Sequence, residues 1–235
     1  MRKLLVLILI HYIFTSCASL PEIVPGKGAV YGTITASSHK DIIAKATKKG
    51  DGRYANNGKV VFTDQMVNYQ NLKEIFVCLL DPSFRGGNDQ LLIAKDENMS
   101  HRSLAIAKGD KLWVQNDSSK TLTFFLAGKG DDIQVYEPIK SGERSEITVA
   151  LEGDLELGSD ENEALVTTLF SRDGLIGQQH SSGDTFTFEN LNPGPYTILF
   201  WFWRLGFVEK SILIKGGENI ELNQVLSVDK ILESK

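Results

Sequence analysis

The sequence predicts an all-β protein built as a β-sandwich, and three observations carry that prediction. Short runs rich in Val, Ile, Leu and Phe alternate with Gly, Asn, Asp and Pro along most of the 235 residues, the spacing of brief strands and tight turns. No stretch of about 18 residues keeps the three-and-four apolar spacing of a helix face. Between Ser182 and Val208, Thr185-Phe186-Thr187-Phe188 alternates polar with aromatic, as a half-buried strand does. Asn190-Leu191-Asn192-Pro193-Gly194-Pro195 then supplies turn chemistry, and Tyr196 to Trp203 follows as a second strand. The pair reads as a hairpin-like unit.

At the N-terminus, Arg2 and Lys3 precede an apolar run from Leu4 to Phe14, broken only by His11 and Tyr12. The run is too short to span a membrane as a helix, which takes about 20 residues, and has the form of a secretory signal peptide. It ends Phe14-Thr15-Ser16-Cys17, which resembles a bacterial lipobox, with Phe14 where leucine is preferred. That resemblance implies cleavage after Ser16, lipidation of Cys17 and an outer-membrane lipoprotein, since Ala18 is not the aspartate that retains such proteins at the inner membrane. An ordinary cleaved signal with an incidental Cys17 is the alternative.

Loss of residues 1–16 removes Arg2 and Lys3 and takes the net charge from −5 to −7. Such a chain has no net positive field to attract phosphate, which argues against nucleic acid and anionic lipid surfaces as partners. Membrane attachment then falls to the N-terminal lipid. With Cys17 acylated, Cys78 has no partner in the chain. It sits in the apolar run Ile75-Phe76-Val77-Cys78-Leu79-Leu80 and reads as a buried, inert thiol.

Residues 17–28 contain two prolines and two glycines and read as a tether. Ala29 to Ala36 is the first expected strand. Residues 37–57 are polar and basic, with one or two helical turns from Asp41 to Lys48 or a long loop. Lys59 to Thr63, Glu74 to Leu80 and Leu91 to Ala94 are further strands, with turns at Asp81-Pro82-Ser83 and Arg85-Gly86-Gly87-Asn88. Leu104 to Asn116 reads as strand, Lys-Gly-Asp turn and strand. Thr121 to Leu126 and Ile147 to Val149 follow.

Two resemblances refine the fold class. Phe186-Thr187-Phe188-Glu189-Asn190-Leu191-Asn192-Pro193-Gly194-Pro195-Tyr196 resembles the signature of carboxypeptidase-regulatory-like, transthyretin-like β modules over residues 165–228. That family implies a mostly non-catalytic β unit. The order from Gly109-Asp110 through Trp113, Asn116 and Thr121 resembles a cupredoxin-like domain of the methylamine-utilisation type, which is followed by a transthyretin-like hairpin. Together they imply a cupredoxin-like domain over residues 29–164, including the N-terminal strands, and a carboxypeptidase-regulatory-like module over 165–235.

A blue-copper site needs two imidazoles, a thiolate and usually a thioether. Where the resemblance implies the first histidine, the chain has Thr121, Leu122 and Thr123. Where it implies the Cys/His/Met cluster, the chain has Glu156 to Asn162. No Cys, His or Met occurs from Arg102 to Gln179, so no copper ligand, metal site or cofactor is assigned. His39, His101 and His180 are widely separated in polar surroundings and read as solvated. Asp154, Glu156, Asp160, Glu161 and Glu163 lack a calcium-loop pattern and read as a solvated acidic edge that discourages strand pairing. His180, Ser181, Ser182 and Asp184 fall in one turn, without a nucleophile-elbow pattern around either serine.

From Ile198 to Trp203 both strand faces are apolar, so both are expected to be covered. One face fills the transthyretin-like module. The other packs on the preceding domain, near Trp113 or Phe124-Phe125, or else captures a partner or glycan as an exposed patch. The sequence thus describes a non-enzymatic, lipid-anchored envelope protein, a binding or structural module for an envelope protein or glycan. The alternatives are a metal or redox carrier using His39, His101 or His180, and, third, a hydrolase on envelope glycans.

Overall fold

A computed structural model describes residues 21–38, 69–84, 86–87, 89–130 and 132–227. The expected signal peptide, Cys17, His39, the expected helical turns at 41–48 and the expected strand at 59–63 lie outside the described residues.

Among the described residues sixteen strands form four sheets. β1 (Gly28–Ala36) is flanked by β12 (Thr185–Leu191) on one side and by β15 (Asn219–Glu221) and then β16 (Gln224–Leu226) on the other. Facing it is the sheet of β11 (Leu175–His180), β2 (Ile75–Leu80), β13 (Gly194–Phe202) and β14 (Gly206–Ile214), in that order. Val30 and Ile34 of β1 and Phe186 and Phe188 of β12 meet Ile75, Val77, Ile198, Phe200 and Phe202 of the facing sheet in one buried layer. At Gly32, β1 passes from β15 to β16, and a Cβ there would lie 2.1 Å from the Leu222 carbonyl oxygen. Only glycine lets the two backbones come this close.

The other sandwich is composed of β3 (Gln90–Ala94), β4 (Ser103–Ala107), β5 (Lys111–Asn116), β6 (Phe124–Ala127), β7 (Ile133–Val135), β8 (Arg144–Thr148), β9 (Gly153–Ser159) and β10 (Thr167–Arg172). Its sheets run β4-β10-β9-β6-β7 and β3-β5-β8. Period-two alternation sends Leu112 and Val114, Phe124 and Leu126, and Leu155 and Leu157 into its core. The Lys108-Gly109-Asp110 turn between β4 and β5 falls where the sequence predicts it, with Gly109 at φ +85°.

All-β sandwich architecture is therefore observed, but the chain is divided differently from the expected split at 164/165. β1 and β2 pair with C-terminal strands and lie in the same sandwich as β11–β16, while β10 pairs with β4 and β9. The β3–β10 sandwich is thus inserted between β2 and β11. Sequence order led the expectation astray, because sheet pairing joins strands more than a hundred residues apart.

The hairpin-like pairing of β12 with β13 is also corrected. β12 bonds to β1, whereas β13 bonds to β2 and β14. Asn190 at φ +57° bends the chain out of the first sheet, and Pro193 and Pro195 bring no N–H to a shared ladder. The two strands then face each other across the core, with the Phe186 and Phe200 rings 5.5 Å apart, edge to face.

Candidate functional site

The aromatic run behaves as its pattern predicts. Ile198, Phe200 and Phe202 enter the core of their own sandwich, while Leu199 and Trp201 face the inserted one. On β2 the same alternation sends Ile75, Val77 and Leu79 inward and Phe76 and Cys78 outward. These outward residues meet Ala105, Ala107 and Phe170 of β4 and β10 in a third apolar layer between the sandwiches. Trp201 is 0% exposed there, with the Phe76 and Phe170 rings 5.6 and 5.5 Å away. Its indole N–H donates to Asp154 Oδ1 at 2.9 Å. The covering partner differs from the one expected. Trp113 lies under the Arg144 guanidinium, and Phe124 fills the core of the inserted sandwich. Small residues set the approach, since a Cβ at Gly177 would meet Ala105 Cβ at 3.3 Å. Arg172 closes the rim over Phe170 and Phe207 and pairs with Glu209 at 3.3 Å.

Cys78 is fully buried in this layer, and burial pushes its thiol pKa up, so it stays protonated near neutral pH. It has no disulfide partner among the described residues.

The two stretches at which copper ligands were implied do come together. Glu161 Oε2 and Oε1 accept from the Thr123 N–H and hydroxyl at 2.7 and 2.8 Å, and the Ser159 hydroxyl donates to Oε2 at 3.0 Å. Burial acts to raise the Glu161 pKa and is the largest single influence, yet these hydrogen bonds together hold it below the usual range. The donors here are a carboxylate and hydroxyls already bonded to one another, without imidazole or thiolate. They do not fit blue copper, and no step is derived through it.

The remaining candidates are scattered. His101 sits between β3 and β4 with Nδ1 3.0 Å from the Ser100 hydroxyl. His180 ends β11 and is half-buried, against the expectation of solvent. Its ring meets Phe186 at 6.4 Å, and burial lowers its pKa against the opposing pull of Asp184. In the same turn, Asp184 Oδ2 accepts the Ser181 N–H, and the Ser182 hydroxyl accepts the Ala36 N–H. Each is engaged in holding the turn. The acidic stretch is not an edge, because β9 lies between β10 and β6. Asp154 is taken by Trp201 and Glu161 by Thr123, at opposite ends of β9. Among the described residues no group of three or more His, Cys, Asp or Glu could hold a metal ion.

What the sequence reading missed is a cleft of about 500 Å³ at the junction of the sandwiches. Its walls include Lys73 and Glu74 before β2, Asn98 and Arg102 between β3 and β4, and Trp203 and Arg204 after β13. A second hollow of about 330 Å³ adjoins it across Met99, Arg102 and Trp203. Trp203 is half-buried, and the Arg204 guanidinium stacks over its ring at 4.4 Å. Glu74 has φ +60°, in the left-handed region that non-glycine residues seldom occupy. Its carboxylate accepts from the Arg102 N–H at 3.4 Å and the Ser103 hydroxyl at 3.3 Å, tying the two sandwiches together beneath the cleft. The sequence signal was Trp203-Arg204 at the end of the aromatic run; nothing local marks Lys73 or Arg102 as its neighbours.

These features define an all-β protein of two stacked sandwiches with a cleft at their junction. No family model matches the sequence, and no curated relative matches it. Among solved structures it is similar to a purple cupredoxin from Nitrosopumilus maritimus, at 16% identity over 34% of this chain and 97% of that one, with a TM-score of 0.31. Amicyanin from Paracoccus versutus matches at 9% identity over 40% of this chain and 90% of that one, TM-score 0.32. A reduced Cu(I) form of an amicyanin mutant matches at 8% identity with the same coverage and TM-score. Likeness at this level carries nothing about chemistry.

Proposed function

We propose that this chain is a non-enzymatic, lipid-anchored protein of a bacterial cell envelope, held at the outer membrane through Cys17 and acting as a binding module. The transthyretin-like and cupredoxin-like resemblances describe its two sandwiches, and the binding site is the cleft between them. The observation that carries this reading is the cleft itself. A tryptophan and two arginines from different sandwiches line one concavity, set by an apolar layer and by the Glu74 carboxylate. Clefts of some hundreds of Å³ with an aromatic wall and a few converging polar groups are the usual form of a ligand site.

The experiment is fractionation and capture. Cells carrying the native chain should hold it in the outer-membrane fraction with acyl mass on Cys17, and Cys17→Ser should release it or leave it unprocessed. Detergent-purified protein should retain an envelope component, and Trp203→Ala should lose that component. A mature protein that starts at another residue without acyl mass would end the anchoring proposal. Retention that survives Trp203→Ala would end the cleft assignment.

A further inference from the structure

We infer that the junction cleft binds an acidic saccharide, a glycan segment bearing carboxylates; this rests on the binding reading of the same cleft and deepens it. Charge is the first reason. The chain as a whole is acidic, at −5, yet the larger hollow is lined by Lys73, Arg102 and Arg204 against Glu74 as its single carboxylate. Glu74 is already occupied, since it accepts from the Arg102 N–H and the Ser103 hydroxyl. Among the described residues the side chains of Lys73 and Arg102 make no ion pair. Two uncompensated cations, one of them a guanidinium whose planar fork matches a carboxylate, call for an anionic ligand.

The remaining lining separates a saccharide from a peptide. One common way to hold an extended peptide is to add it as a strand to an open sheet edge. The cleft offers none: residues 71–74 precede a central strand, 98–102 are largely connecting chain, and 202–204 run from the end of β13 into the turn that leads to β14. What it does offer is the amides of Asn71 and Asn98 and the Trp203 indole, beside a Ser100 hydroxyl that also bonds Ile93 N–H and His101. Side-chain amides and hydroxyls read ring hydroxyls, an indole takes the apolar flank of a sugar ring, and the cations take its carboxylates. The adjoining hollow, which adds Glu97 as a second carboxylate beside the shared Arg102, continues the groove past Trp203, giving room for more than one ring.

The test is calorimetric titration of the full-length protein in detergent with three probes: trigalacturonic acid, neutral galactotriose, and an N-acetylated tri-aspartate peptide that carries carboxylates without sugar rings. Trigalacturonic acid should bind at least about tenfold more tightly than either comparator, and more weakly as salt rises. Arg102→Ala and Lys73→Ala, both at exposed positions, should each weaken it by about tenfold while leaving the melting curve in place. Equal binding of galactotriose would overturn the inference, as would binding untouched by either substitution. Tighter binding of the tri-aspartate peptide would overturn the saccharide class while leaving a binding cleft. No heat with any probe, while the envelope component is still retained through Trp203, would reject the inference and spare the binding reading. Failure of both would reject the two together.

Discussion

Removing Trp201 is the perturbation that asks most directly whether the two sandwiches act as one body. The side chain is 0% exposed, sits between Phe76 and Phe170, and donates its N–H to Asp154 across the layer. Trp201→Ala in a fully enclosed site should cost about 3–5 kcal/mol. For a chain of this size that corresponds to a fall in Tm of roughly 6–20 °C. Trp201→Phe keeps most of the apolar contact and loses the bond to the carboxylate, so about 1–2 kcal/mol is expected. Asp154→Asn in the Phe background should then add little, because the pair is already broken. The assay is denaturant unfolding of the full-length protein in detergent, followed by far-UV circular dichroism and by tryptophan fluorescence. With Trp203→Phe added to the Trp201→Ala chain, Trp113 becomes the sole tryptophan, and it lies on β5 of the inserted sandwich. The native chain should give coincident transitions. The Trp201→Ala chain should give two, because the layer that couples the sandwiches has lost its largest side chain. Coincident curves with a loss of unfolding free energy of less than about 1 kcal/mol would refute the reasoning and make the layer a passive contact.

Two further outcomes follow from single side chains. His180 is held below its ordinary pKa chiefly by burial, against Asp184, so the folded state disfavours the charged ring. Its contribution to stability is fully present above the unfolded pKa, near 6.5, and is lost as pH falls through the lowered folded value; His180→Gln should flatten the loss of Tm on acidification below that point, and an unchanged pH profile would count against it. At the far end of the inserted sandwich, the Thr123–Glu161–Ser159 bonds fill the place of the implied copper ligands. Purified protein should therefore take up no stoichiometric Cu(II) and show no intense thiolate-to-copper band. One tightly held copper per chain, lost on His101→Ala or His180→Ala, would favour the redox-carrier alternative.

Local pattern by itself determined several strands, β1, β2, β12 and β13 among them, and which way their side chains point. Alternation in Thr185-Phe186-Thr187-Phe188 marked Phe186 and Phe188 as core, and the uninterrupted apolar run to Trp203 marked a strand covered on both faces. Both follow from the two-residue repeat of a strand, which needs no knowledge of distant chain. Pairing was another matter. That β1 lies between β12 and the β15–β16 edge, that β2 lies between β11 and β13, and that β3–β10 is an insertion depended on contacts across about a hundred residues or more. Such contacts leave no periodic trace in a single sequence. The same reason hid the cleft. Trp203 closed the apolar run in the sequence, but Lys73 and Arg102 became its neighbours only when packing of Trp201 against Phe170 set one sandwich beside the other. The sequence settled which faces had to be buried, and the tertiary structure alone decided what buried them and which charges were left lining the cleft at the edge.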